Sequence, residues 1–260
     1  MVTSDGVRLR VIEAGLQAPV DTPVIALVPG WSMPAAIWLH QLTALGAAHR
    51  VAALDPRGQG GSEIPEKGFD IERRAADVSE FVNRYERVVL VGWSLGALEA
   101  LQFVHRFGSG QLEALVLVDS SVGEDPPPPP TDFLESLRQD RVGTLSRFVR
   151  DMFRSAREED DIEALIDAAL RMPLEASISL FPRGIPREHW RHIARSFGKP
   201  LLYVVTEQFA AQARNLLLHR PGTRIEVFEN AGHALFVDDP ARFNRLLLAF
   251  TAEITRNRTS

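Results

Sequence analysis

Between residues 23 and 119, short runs of β-branched and aliphatic residues alternate with helix-forming stretches. PVIALV (23–28), RVAALD (50–55), RVVLVG (87–92) and LEALVLVD (112–119) carry few polar side chains. A strand apolar on both faces has to be covered on both faces, and a parallel sheet with crossover helices does this. The intervening segments suit that role. Residues 37–48 read as helical, ERRAADVSEFVNRY (72–85) places Ala75, Val78, Phe81 and Val82 at helical spacing, and LGALEALQFVHRF (95–107) reads as a further helix. The alternation predicts an α/β fold, a mostly parallel central sheet flanked by helices. VRLRVIEA (7–14) alternates and reads as an edge strand.

The pattern breaks after residue 124. PPPPP (126–130) is a stiff polyproline spacer, and residues 132–195 show helical periodicity without a convincing strand. Strand character returns in PLLYVV (200–205) and RIEVFE (224–229), and a closing helix is expected over 240–255. The expected organisation is a discontinuous core, residues 1–124 and 196–260, with a helical cap inserted at 125–195.

Composition narrows the function classes. There is no cysteine, which removes disulfides, thiolate metal sites and a cysteine nucleophile. A net charge of −5 disfavours a general nucleic-acid binder. No stretch reaches the roughly 18 to 20 apolar residues of a membrane span, and MVTSDGVRLRVIEAG lacks the apolar core of a secretory signal. A cytoplasmic protein with neither nucleic-acid nor membrane partner is expected. No P-loop or dinucleotide fingerprint is present, and no metal or organic cofactor is expected.

Gly92-Trp93-Ser94-Leu95-Gly96 sits where an apolar strand gives way to a helix. The G-x-S-x-G pentapeptide alone is a weak signal; the strand before and the helix after supply the context it requires. A sharp turn there forces the serine into an unfavourable backbone conformation and leaves room only for small flanking residues. The serine oxygen would then stand out at the carboxyl edge of the sheet, with the Leu95 N–H at the helix start as an oxyanion donor. A serine needs a base, normally histidine. Of the seven histidines, His233 lies in ENAGHALFVDDP, between the strand 224–229 and the last helix, where a loop can reach that edge. His40, His105, His189, His192 and His219 sit in helical or polar segments, and His49 precedes a strand; structural roles are expected for these six.

VPGWS (28–32), DPRGQGGS (55–62), GWSLG (92–96) and NAGHALFVDDP (230–240) together resemble the α/β-hydrolase superfamily over nearly the whole chain. The resemblance implies a second oxyanion N–H at Trp31, in a loop where Pro29 replaces the family's usual histidine. It implies loop-bracing roles for Asp55 and Arg57. It also places the triad acid in the loop after PLLYVV, but Phe209 stands at that position. Three readings of the acid remain: Asp119, which ends LVLVD as in some haloalkane dehalogenases of this fold; Glu207, in the usual loop but two residues early; or no acid at all. Asp238 and Asp239 are expected to cap the last helix.

The expected chemistry is acyl transfer by a serine carboxylesterase, with Ser94, His233 and Asp119 as triad. Trp31, Trp93, Phe148 and Met152 are candidate substrate contacts, although core packing is expected for most apolar cap residues. The cap carries Arg138, Arg141, Arg147, Arg150, Arg154 and Arg157, several at three- or four-residue spacing. They read either as a solvated, charge-balanced face or as a dock for an acidic partner. The elbow, the PGW loop and the cap are similar to the pimeloyl-acyl-carrier-protein methyl ester esterases, which implies a small ester substrate presented by an acidic carrier protein to cap arginines. A lactonase, a C–C bond hydrolase, or a non-catalytic binding protein of the same fold are the alternatives. Dehalogenases and epoxide hydrolases use an Asp nucleophile, against which Ser94 argues.

Overall fold

The computed structural model describes residues 1–19 and 22–259. Its elements run β1 (Val11–Ala14), β2 (Val24–Val28), α1 (Leu39–Leu45), β3 (Val51–Leu54), α2 (Ile71–Val82), β4 (Val88–Trp93), α3 (Leu95–Phe107) and β5 (Leu112–Val118). There follow α4 (Phe133–Gln139), α5 (Arg141–Asp151), α6 (Glu159–Leu170), α7 (Leu174–Ser179) and α8 (Arg187–Ser196). The chain closes with β6 (Leu201–Thr206), α9 (Ala210–His219), β7 (Thr223–Phe228), α10 (Leu235–Asp238) and α11 (Pro240–Thr259).

The strands form one seven-stranded sheet in the order β1-β3-β2-β4-β5-β6-β7. β1 runs antiparallel to β3, and every other neighbouring pair is parallel. The central strands are buried along their whole length, as both-faced apolar runs require. The α2 helix shows how sequence sets an element. Asp70 caps it by accepting the Arg73 N–H at 2.8 Å, a contact of about 1 kcal/mol. Ile71, Ala75, Val78 and Val82 make its buried stripe.

Several boundaries differ from the sequence expectation: the 72–85 helix ends at Val82, the closing helix runs to Thr259, and two N-terminal segments change more. The 7–14 segment forms a strand only from Val11, with a single antiparallel bridge between Val2 and Arg8 preceding it. The helix expected over 37–48 is a 3-10 turn, Ala35–Trp38, followed by the seven-residue α1, which ends at Gly46. The helices α4–α8 lie between β5 and β6. Because β2 and β4 to β7 are parallel, the loops leaving them emerge at one edge of the sheet, the carboxyl edge where open α/β sheets build their sites.

Candidate active site

Ser94 follows β4 directly and holds φ 54° and ψ −120°, a region a side-chain-bearing residue enters only when its surroundings impose it. Its N–H donates to the Val118 carbonyl at 2.9 Å, and its carbonyl accepts from Ala97 at 3.0 Å. The flanking glycines are sterically required. A Cβ on Gly92 would lie 2.4 Å from the Gly96 carbonyl oxygen, and one on Gly96 would lie 2.6 Å from the carbonyls of Val28 and Pro29. The strand-to-helix turn can therefore close only with glycine at both places.

The loop after β2 comes close to the serine. A Cβ on Gly30 would sit 3.1 Å from the Ser94 Cβ. Among the described residues, the backbone N–H groups of Trp31 and Leu95 have no protein acceptor, the condition an oxyanion donor must meet. The Trp31 side chain turns toward the inserted helices. Its indole donates to the Ser177 carbonyl at 2.7 Å, and its ring lies 5.3 to 5.4 Å from those of Phe133, Phe148 and Phe181.

Asp119 is the carboxylate on the histidine. Its Oδ2 lies 2.7 Å from Nδ1 of His233, and its side chain is fully buried. Oδ1 accepts the Thr206 N–H at 2.6 Å. Like Ser94, Asp119 has a positive φ, 41°. Its own N–H continues the sheet by donating to Val204 at 2.8 Å, and Tyr203 hydroxyl donates to the next carbonyl, Ser120, at 2.6 Å. With Nδ1–H donated to Asp119, the other ring nitrogen is the one free to act as a base. Glu207 is exposed on the 3-10 turn Glu207–Phe209, and Phe209 is buried. Glu207 lines the same cleft as His233, yet the histidine pairs with Asp119.

The histidine loop is held from three sides. Trp93 donates its indole N–H to the His233 carbonyl at 2.9 Å, with the two rings 5.1 Å apart. Ala234 N–H donates to the Met152 carbonyl at 2.9 Å. Asp238 accepts from Gly232 N–H at 2.7 Å, from the N–H groups of Arg154 and Ser155 at 2.9 and 3.0 Å, and from the Ser155 hydroxyl at 2.6 Å. Burial alone would raise the Asp238 pKa, but these donors hold it below the ordinary 3.8. Of the two carboxylates expected to cap the last helix, only Asp239 does so, accepting from Arg242 N–H at 3.0 Å. Asp238 instead ties the inserted helices to the histidine loop, because four donors on two different segments converge there.

Trp93 and Met152, candidate substrate contacts in the sequence, are each about 1% exposed. Their atoms support the histidine loop. Phe148 packs on Trp31. Asp55 accepts N–H groups of Ala35 (2.5 Å) and Gly61 (2.8 Å), and Arg57 pairs with Asp77 and Asp5, the bracing roles expected of them. Arg138 pairs with Glu175 and Arg150 with Glu159, Arg141 donates to the Leu170 and Met172 carbonyls, Arg147 to Thr144, and Arg157 to the Val237 carbonyl. Arg154 borders a cleft of about 360 Å3 that is also lined by Thr206, Glu207, Asn230, Gly232 and His233. No group of three or more His, Asp or Glu side chains among the described residues is arranged to hold a metal, and no described helix is long and apolar enough to cross a membrane.

Residues 25–246 match the model of the Alpha/beta hydrolase family. The chain belongs to the α/β-hydrolase family. It is 27% identical over 246 residues to the pimeloyl-[acyl-carrier protein] methyl ester esterase of Aeromonas hydrophila, covering 88% of this chain and 95% of that one. It is 42% identical over 103 residues to epoxide hydrolase A of Mycobacterium tuberculosis, a match spanning only 38% of this chain and 31% of that protein. In fold it is similar to the esterase EaEST of Exiguobacterium antarcticum, with a TM-score of 0.83, 21% identity and coverage of 97% and 100% of the two chains. Sequence reasoning missed the Thr206 N–H, the Asp238 clamp and the Met152 carbonyl. Two of these are backbone groups, which carry no residue signature, and Asp238 was masked by its position before a helix.

Proposed function

We propose that this α/β hydrolase is a serine carboxylesterase working through an acyl-enzyme. The observation that carries the reading is the 2.7 Å hydrogen bond between the buried Asp119 and His233, whose loop is tied to Trp93, the residue before a serine held at positive φ. Ser94 Oγ attacks the ester carbonyl and passes its proton to the distal ring nitrogen of His233. The carbonyl oxygen becomes an oxyanion facing the N–H groups of Trp31 and Leu95. Collapse expels the alkoxide, which takes the proton from His233, and leaves Ser94 acylated. Water then repeats the sequence, giving up its proton to His233 and releasing the acid. Asp119 holds the ring in the tautomer this needs and stabilises the imidazolium.

A narrower version, an acyl-chain methyl ester presented on an acidic carrier protein, is supported by the similarity to the Aeromonas esterase over 95% of that protein's length. The cap arginines would meet the carrier. Hydrolysis of 4-nitrophenyl acetate, butyrate and octanoate, with labelling by a fluorophosphonate, tests the general reading. Turnover and labelling that vanish in Ser94→Ala support it. Neither in the wild type would sink it and favour a binding protein of this fold. A methyl ester on acyl-carrier protein, compared with the same ester on a short thiol, tests the narrower one; an equal kcat/KM for both would refute it.

A further inference from the structure

The loop bearing Trp31 has no rigid secondary structure of its own, yet an oxyanion donor has to be aimed before the substrate arrives. Gln59, in the glycine-rich loop after β3, is about 1% exposed and supplies the aim. Its amide nitrogen donates to two carbonyls of the Trp31 loop, Gly30 at 3.1 Å and Met33 at 2.7 Å. The Gly30 carbonyl and the Trp31 N–H belong to one peptide unit, and in a trans peptide they point in opposite directions. Pulling the Gly30 carbonyl toward Gln59 therefore turns the Trp31 N–H away from it. The Met33 N–H reinforces the turn by donating to the same Gly30 carbonyl at 3.2 Å.

The Gln59 amide works only one way round. Flipped, its oxygen would face two carbonyl oxygens. Arg74, on α2, forbids the flip by donating to the amide oxygen at 3.1 Å. Arg74 is in turn paired with Glu99 on α3 at 2.8 Å, and both side chains are about 1% exposed. A buried ion pair gains little net stability over apolar residues of the same shape; what this pair supplies is direction, since it fixes the guanidinium that holds the Gln59 amide oxygen. Glu99 sits on the helix that Ser94 begins, so the relay joins the nucleophile's own helix to the donor loop.

We propose that Gln59, oriented by the Arg74–Glu99 pair, is the positioning residue that aims the Trp31 N–H at the oxyanion. The proposal rests on the serine esterase reading, and the test separates the two. A thionoester develops its negative charge on sulfur, a weak hydrogen-bond acceptor, so it draws little on an oxyanion hole. The kcat/KM ratio of 4-nitrophenyl butyrate to O-(4-nitrophenyl) thionobutyrate therefore reports donor aim. Gln59→Glu keeps the shape and loses the donors. We expect its oxygen-ester kcat/KM to fall by about 10- to 100-fold, with the thionoester value changed less than about threefold. Equal loss on both substrates would mean a merely structural role and overturn the proposal. If Gln59→Glu does not fold, the double variant Arg74→Met, Glu99→Leu decides, since it frees the amide to flip without leaving a buried charge. A ratio that drops supports the proposal, and an unchanged ratio overturns it. Wild-type activity that survives Ser94→Ala would instead overturn the esterase reading, and with it this inference.

Discussion

Asp119 reaches His233 with one carboxylate oxygen, at 2.7 Å, and the Thr206 N–H with the other, at 2.6 Å. The second contact fixes the carboxylate plane, so the first has a defined direction. Asp119→Asn keeps the shape, but its amide oxygen takes the Thr206 N–H and its NH2 group, a donor, faces the ring. We expect kcat on 4-nitrophenyl butyrate to fall by about 10³- to 10⁴-fold, and by less than about twofold in Glu207→Gln. A large loss in the Glu207 variant, with Asp119→Asn active, would move the acid to the other loop.

Trp31 serves both loop and inserted helices. Trp31→Phe keeps the backbone N–H and much of the ring packing but deletes the donor to the Ser177 carbonyl. Leaving that buried acceptor unpaired costs about 1–3 kcal/mol. Urea unfolding should show that loss, with kcat for a small ester reduced less than about threefold. An unchanged midpoint would mean that Ser177 finds another partner.

Asp238 gathers donors from Gly232, Arg154 and Ser155. Asp238→Ala removes all four contacts at once. A destabilisation of about 2–4 kcal/mol is expected, together with a kcat loss that exceeds any change in KM, because Gly232 adjoins His233. Thermal melts and steady-state kinetics on the same preparation check both. Full activity in the variant would show that Trp93 and Met152 hold the histidine unaided.

Asp5 gives a pH signature away from the site. Partial burial opposes its ionisation, but the Arg57 guanidinium, the Thr3 hydroxyl and the charge of Arg73 lower its pKa from 3.8 to about 2. A folded-state pKa below the unfolded one favours the ionised native state. The contribution is thus complete above pH 3.8 and disappears as the pH falls through about 2. The Tm gap between wild type and Asp5→Asn should be constant from pH 5 to 7 and close toward pH 2. A gap that widened on acidification would reverse the sign.

The sequence alone determined the sheet, because runs such as PVIALV and RVVLVG can be covered only between two helical layers. It determined the elbow as well. Gly92 and Gly96 are demanded by atoms within five residues of Ser94 or in the adjoining strand, and such local steric needs leave a direct mark on residue type. His233 was legible because its loop had to end at the same sheet edge. The sequence favoured Asp119 as the acid, and the structure pairs it with His233, but residue types alone left Glu207 open. Asp119 and Glu207 both follow strands that end there, and which of them meets His233 depends on the lean of a carboxylate toward the Thr206 N–H and the stagger of neighbouring strands. The roles of Asp238, Met152 and Gln59 were hidden. They act through hydrogen bonds to backbone groups distant in sequence, and a backbone N–H or carbonyl looks the same in every residue. Their meaning exists only once tertiary packing has brought the Trp31 loop, the histidine loop and the inserted helices together.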